Sequence, residues 1–403
     1  MPARELSCDV VVVGGGPCGV VAALTLAEAG RSVILVEAGP APERLGRDTA
    51  STLATYFADG GMRALRGTAP TPTLQARALG GGSVFNSAIC MRPYVGTFER
   101  WAQEHRVSLT VDEELAWVEA FYGVAPTPDE ALGARAARFR DGCERLGWSV
   151  EALPRMVAGC RGSGQCLVGC TAGAKRSADR RGVPELLAAG GRVYTHAEVE
   201  RIVLRGGRAR GVEGLVEGGT FRIRAEAVVL AAGVMASPVL LQRSGLDRGG
   251  VGDRLQLHPS AFSMALYDAP VEPWTGATQG LHSLAHMDRS IKLEDLWVPH
   301  GILAVRLPGG AELSRWLQRT RPMGVFATWV TTSASFGQVR ALPGGLVDRT
   351  YELAPTDLAR LQDGIVHLAE LAFAGGATRF FHGIEGLAPL RRDELDRLRG
   401  LNL

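Results

Sequence analysis

The sequence lacks a dominant charge. Its 44 basic and 42 acidic residues leave a net charge of only +2 at neutral pH, which removes any electrostatic case for a nucleic-acid partner or an acidic membrane surface. No apolar run reaches membrane-spanning length, and the N-terminal MPARELS enters the first apolar stretch without a basic n-region or a separate h-region. The sequence therefore reads as cytoplasmic, with no transmembrane segment. Cysteine is scarce as well: seven residues, an odd number in a long chain, fit reduced thiols better than a disulfide framework. What is abundant is apolar residues, at 46%, and 52 glycines, the composition of a globular α/β protein with many tight turns. The length allows two domains.

The stretch Asp9 to Gly39 organises the rest. Val10 to Val13 is a continuous apolar run, as in a fully buried parallel strand, and leads directly into Gly14-Gly15-Gly16-Pro17-Cys18-Gly19. Gly14 permits the tight turn, Gly16 admits a pyrophosphate against the backbone, and Gly19 lets the next helix lie close to the strand. Free amides at that helix start, with its positive dipole end, attract a diphosphate. Ala22, Ala23 and Ala27 line the helix, Gly30 ends it, and Ser32 to Val36 gives a second buried strand closing on Glu37. Glu37 stands eighteen residues past Gly19, placed to bond a ribose 2′-OH, and its charge would repel a 2′-phosphate. FAD or NAD is expected rather than NADP.

A second glycine cluster, Leu79 to Ala88 (LGGGSVFNSA), removes every Cβ from three successive positions, so a planar ligand can lie against the backbone. Thr97 to Leu153 reads as helices and loops anchored by Trp101, Trp117, Phe121 and Trp148. Cys160, Cys166 and Cys170 follow at C-x5-C-x3-C spacing, which matches no standard zinc or ferredoxin pattern and lacks a fourth ligand, so no metal is expected. Strands are expected at Val193 to His196, Val199 to Leu204, Ala209 to Val216 and Phe221 to Ala225, a β-meander inserted in the nucleotide domain. It ends in a further buried strand, Ala227 to Leu230, with Gly233 at the carboxyl edge where open α/β sheets place ligands. Ser237-Pro238 reads as the N-cap and first residue of a helix.

These motifs, GGGPCG with Glu37, LGGGSVFNSA, HAEVERI from His196 and AAGVMASPVLLQRSG from Ala231, resemble in order those of the glucose-methanol-choline (GMC) flavin oxidoreductases. The cysteine cluster with Ala174-Lys175-Arg176-Ser177 is similar to a segment of the branch with long-chain alcohol oxidases and cholesterol-oxidase relatives. The resemblance implies a Rossmann-like α/β FAD domain with the inserted meander, plus an α+β substrate domain with an antiparallel sheet. The expected boundaries are 1–96 with 150–260 for the FAD domain, 97–149 for a helical connection and 261–403 for the substrate domain. It further implies FAD as cofactor, with Gly14, Gly16, Gly19 and Glu37 on the ADP half and Val199 meeting the adenine through its backbone. Gly81, Gly82, Ser83, Asn86, Ser87, Ile89 and Gly233 complete the cofactor residues. The implied chemistry is hydride transfer from an alcohol carbon to flavin N5 while a base takes the hydroxyl proton, with the alcohol and the electron acceptor, oxygen or another carrier, unidentified.

In the substrate region Gly301 to Leu307, Val325 to Thr331 and Gln338 to Leu342 look like strands, the last turning at Pro343-Gly344-Gly345. Thr356 can cap a helix with Leu358, Leu361, Ile365, Leu368 and Ala372 on one face, stopped by Gly375-Gly376. Trp274, Trp297, Phe326 and Trp329 could line an apolar pocket. No histidine carries the family's catalytic signature: His258 reads as structural, His282 and His286 are spaced for a shared helix face without a third metal ligand, and His382 comes too early. The catalytic residues stay unassigned, since the family's His-x-x-Gly segment is expected to begin about where Leu401-Asn402-Leu403 stands. A flavin-binding protein without turnover and a non-redox lyase or decarboxylase are the alternative readings.

Overall fold

A computed structural model describes residues 4–401, apart from 44, 46, 47, 305–310, 385 and 386. Two six-stranded sheets carry the architecture. In the first, the strand order is Arg192–Tyr194, Val33–Val36, Arg4–Val13, Gly219–Leu230, Arg208–Val216 and Ala197–Arg205. The first strand begins well before the apolar run Val10 to Val13, because it pairs in parallel along its whole length with Gly219–Leu230, from Arg4↔Phe221 to Val13↔Leu230. Arg224 and Glu5 form an ion pair across that polar end. Val11, Val12, Ile34 and Leu35 are completely buried, as a strand covered on both faces requires.

The meander is not separated from this sheet. Phe221 to Ala225 and Ala227 to Leu230, expected as two strands, form one twelve-residue strand, Gly219–Leu230. It is parallel to the first strand on one side and antiparallel to Arg208–Val216 on the other. The helix after it runs Gly233–Arg243, starting four residues before the expected Ser237 cap, with Pro238 inside. Proline there leaves the carbonyl of Val234 without its helical donor, and Val234 is exposed, so water can serve it.

The second sheet orders Arg379–Phe381, Ser260–Leu266, Met323–Val330, Ile291–Asp295, Leu281–Ser283 and Glu151–Ala152, and every pairing is antiparallel. Helix Pro355–Ala374 lies on it and buries Ile365, Leu368, Leu371 and Ala372 in a core shared with Phe139, Phe326 and Phe380. Gly364 lets the two elements touch, since a Cβ there would overlap the Thr328 hydroxyl. The helix starts on Pro355 after Ala354, with no side-chain cap, so Thr356 does not cap it; Gly375 ends it as expected. Phe336–Ala341 and Val347–Glu352 form the expected hairpin as a separate two-stranded sheet.

Three sequence readings change here. His300–Ala304 is a helix, so the strand expected at Gly301 to Leu307 is absent over its described part, and 305–307 lie outside the described residues. Trp101 and Trp117 are exposed at 39% and 43%, and each packs its ring on a phenylalanine of its own helix, Phe98 and Phe121, whereas Trp148 packs on the second core. His282 lies on the strand Leu281–Ser283 and His286 in the turn beyond it, so they share no helix face. No helix among the described residues is long and apolar enough to cross a membrane.

Candidate functional site

The two glycine turns meet at the carboxyl edge of the first sheet. Gly14 adopts φ +106°, where an L side chain is strained and a Cβ would run into the Ala231 carbonyl. Gly19 faces Gly14 so closely that a Cβ would strike its carbonyl, which seats helix Pro17–Glu28 against the strand. The second turn is tied to the first by Gly80 N–H donating to the Gly15 carbonyl at 2.7 Å. Gly81, at φ +53°, would place a Cβ 2.8 Å from Gly16 Cα. At Gly16 and Gly82, by contrast, a Cβ would meet nothing within 4 Å, so the bare backbone of both turns opens onto free space.

That space is a cleft of about 660 Å³, lined among others by Gly14, Gly16, Glu37, Gly81, Gly82, Val199 and Gly233. Glu37 stands at the end of the second strand with its carboxylate buried. Its Oε2 accepts from Gly15 N–H and its Oε1 from Gly39 N–H, both at 2.8 Å. Burial raises its pKa, opposed by those two backbone donors and by Arg77. Each oxygen keeps a second acceptor direction for a ligand hydroxyl. Val199 lies on the strand Ala197–Arg205, beside Glu198, which pairs with Arg77 at 2.9 Å.

Other residues assigned to the cofactor from sequence stand behind the cleft wall. The Ser83 hydroxyl donates to the Gly80 carbonyl and accepts from Ala178 N–H at 3.0 Å, holding the second turn on helix Ala178–Ala188. Asn86 Oδ1 accepts from Ala88 N–H at 2.9 Å. The Ser87 carbonyl accepts from Arg155 Nε at 2.8 Å, and Ile89 bridges to the backbone of Arg155. Arg155 is a residue that sequence reasoning missed; a buried arginine looks like any surface arginine until its partners are placed. Arg63, Arg243 and Arg349, which line the same cleft, were missed for the same reason.

The sequence of residues 8–260 matches the family model described as GMC oxidoreductase. The chain belongs to the GMC oxidoreductase family. Among curated relatives, an uncharacterized GMC-type oxidoreductase of Mycobacterium tuberculosis is 35% identical over 95% of this chain and 62% of its own length. One from Sinorhizobium fredii is 31% identical over 98% of this chain and 80% of its own. A long-chain-alcohol oxidase of Arabidopsis thaliana is 28% identical over 93% and 53%. Among solved structures, pyridoxine 4-oxidase from Mesorbium loti superposes with a TM-score of 0.70 at 19% identity, covering 97% of this chain and 86% of that one. Formate oxidase gives 0.70 at 15%, covering 93% and 82%, so both report a shared fold. The chain spans 62% of the length of the mycobacterial relative.

Family membership makes FAD the cofactor, and the cleft fits it. Two side-chain-free turns face open space and a buried acid stands at the end of the second strand, which suits a diphosphate with a ribose beside it. The histidines singled out in the sequence make their contacts away from the cleft. His258 packs its ring on Trp329, 5.2 Å between centroids, and burial lowers its pKa, helped by Lys292. His382 uses both ring nitrogens, on the Ala388 carbonyl at 3.2 Å and Ile384 N–H at 3.0 Å. His286 stacks on His367 at 3.8 Å. None of them lines the cleft. Trp297 is buried in an apolar cluster against which Trp274 and Trp329 also pack, while Phe326 belongs to the core beneath helix Pro355–Ala374. Among the described residues no group of three His, Cys, Asp or Glu side chains is arranged to hold a metal.

Proposed function

We propose that this protein is an FAD-dependent oxidoreductase acting on the CH–OH group of an alcohol. The observation that supports the reading most directly is the pair of glycine turns, Gly14–Gly19 and Gly80–Gly82, opening their bare backbone onto one cleft beside Glu37. The alcohol class follows from the likeness to long-chain-alcohol oxidases. When bound, FAD supplies the acceptor for the hydride leaving the alcohol carbon. The chain's part is to hold and orient it. The amides at the start of helix Pro17–Glu28 would hold the diphosphate, Glu37 would take the ribose hydroxyls, and the Val199 backbone would meet the adenine. Gly81, Gly82 and the segment from Ser83 to Ile89 would set the flavin end, with Gly233 lining the same cleft. In this reading the first sheet, with the cleft at its edge, binds FAD, and the second, made of strands from Ser260 onward with Glu151–Ala152 added at its edge, carries the substrate side.

Anaerobic mixing of the FAD-loaded protein with short, long-chain and sterol alcohols tests this reading. Bleaching of the flavin band by one class, with recovery of the matching aldehyde or ketone, is the expected result. Retention of FAD with no bleaching by any alcohol would favour the second reading, flavin binding without turnover. A specific observation supports that alternative, namely that among the described residues no histidine lines the cleft to take the hydroxyl proton.

A further inference from the structure

Of the 44 basic residues only two are lysines, Lys175 and Lys292. Lys175 is 2% exposed and donates three hydrogen bonds, to the carbonyls of Val84 at 2.7 Å, Asn86 at 2.5 Å and Cys166 at 3.0 Å. Three carbonyls converging on one point suit a compact ammonium with three donors, and a planar guanidinium could not serve them. Beside it Arg155, with no exposed surface, donates Nε to the Ser87 carbonyl at 2.8 Å. Its two other nitrogens face sulfur: Nη2 lies 3.2 Å from Cys166 Sγ and Nη1 3.7 Å from Cys160 Sγ. Two buried cations thus grip the flavin-side segment 84–87, and among the described residues neither pairs with a carboxylate. The other fully buried arginine, Arg135, behaves differently, pairing with the equally buried Asp295 at 3.0 Å.

We propose that Cys166 is held as a thiolate, and that this anion balances Arg155 and Lys175 and so positions the segment against which the flavin end of FAD lies. Burying cations without a counterion is strongly unfavourable, and a thiol is the one acidic side chain in contact with Arg155 that is itself buried. Burial by itself pushes a thiol up, as at Cys143, raised to about 12. At Cys166 the same burial is outweighed by Lys175, Arg155 and the Thr278 hydroxyl, and the thiol moves down. Burial draws the Lys175 ammonium down to about 8, with the Cys166 sulfur holding it up, so it stays charged at neutral pH. Cys160 shares the Arg155 guanidinium, Cys170 lies within electrostatic reach of Lys175, and Asp179 acts on Lys175 from helix Ala178–Ala188. The turn carrying the sulfur, Cys166–Val168, packs directly behind Gly82–Phe85.

Two measurements test this on the FAD-loaded protein. The native protein should show the ultraviolet band of one thiolate at about pH 7, where ordinary thiols are protonated, and Cys166→Ser should remove it. Cys166→Ser should also weaken FAD retention at least about tenfold, while Cys166→Asp, which restores a negative charge, should stay within about threefold of the native protein. The retention arm rests on the FAD reading above; the ultraviolet arm does not, and it needs no variant if Cys166→Ser fails to fold. Absence of the band, equal losses in Cys166→Ser and Cys166→Asp, or stoichiometric iron or zinc on Cys160, Cys166 and Cys170 would each overturn the proposal.

Discussion

At the scale of single residues, charge in the wrong solvent is the most informative feature. Glu37 gives its two oxygens to Gly15 and Gly39 N–H groups while lining the cleft. Glu37→Lys loses charge-assisted hydrogen bonds worth about 1.5–3 kcal/mol, so FAD affinity should fall roughly ten- to hundredfold in a fluorescence titration. Unchanged affinity would remove the carboxylate from the ribose. His282 shows the same principle in a base. It is buried with Nδ1 unpartnered, and burial, with Lys292 behind it, lowers its pKa to about 4. A lowered histidine binds fewer protons folded than unfolded, so its contribution is full above the unfolded pKa of about 6.5 and is lost as pH falls from there toward 4. The swing is about 3 kcal/mol. Urea unfolding at a series of pH values should show it in the native protein and a flatter profile in His282→Asn; parallel profiles would count against the assignment.

At the scale of elements, what was legible in the sequence is what neighbours in the chain decide. The turn Gly14–Gly19, helix Pro17–Glu28, strand Val33–Val36 and hairpin Phe336–Glu352 each follow from local apolar runs and glycine positions. Elements whose form depends on distant partners were misread. The first strand is long because Gly219–Leu230 supplies its ladder, and the described part of the apolar run at Gly301 is helix, with no strand paired to it among the described residues. The contact between Gly16 and Gly81 is of the second kind, since each glycine is legible alone and their touching is not. Gly81→Ala should separate the two turns, through both a crowded Cβ and φ +53°, costing about 1–3 kcal/mol of stability and weakening FAD. Denaturant midpoints with and without FAD measure both; a variant with native midpoint and native affinity would show the turns to be independent.

At the scale of the whole molecule, the cleft draws its walls from the first sheet, from helix Gly233–Arg243 and from Gly345, Val347 and Arg349 of the hairpin region. FAD at about 100 times its Kd should therefore stabilise the fold by about 2.7 kcal/mol, read as a rise in Tm. The cysteine cluster should contribute no metal: elemental analysis of anaerobically purified protein is expected to show neither iron nor zinc in stoichiometric amount. The ligand-facing half of the site was legible because glycines announce backbone exposure. Its supporting half was not, because Arg155 and Lys175 are surface residues by composition and become buried only when segments 84–87, 155–166 and 175 converge.

The central pairing Val13↔Leu230 joins residues about 200 positions apart. During synthesis the first strand finds Val33–Val36 almost at once, yet its other edge has no partner until the ribosome has made the long strand. At about 5–20 residues per second that wait is on the order of 10 to 40 seconds. Throughout it, a fully apolar edge running Val10 to Val13 is available to any chaperone, or to any neighbouring nascent copy, that meets it first.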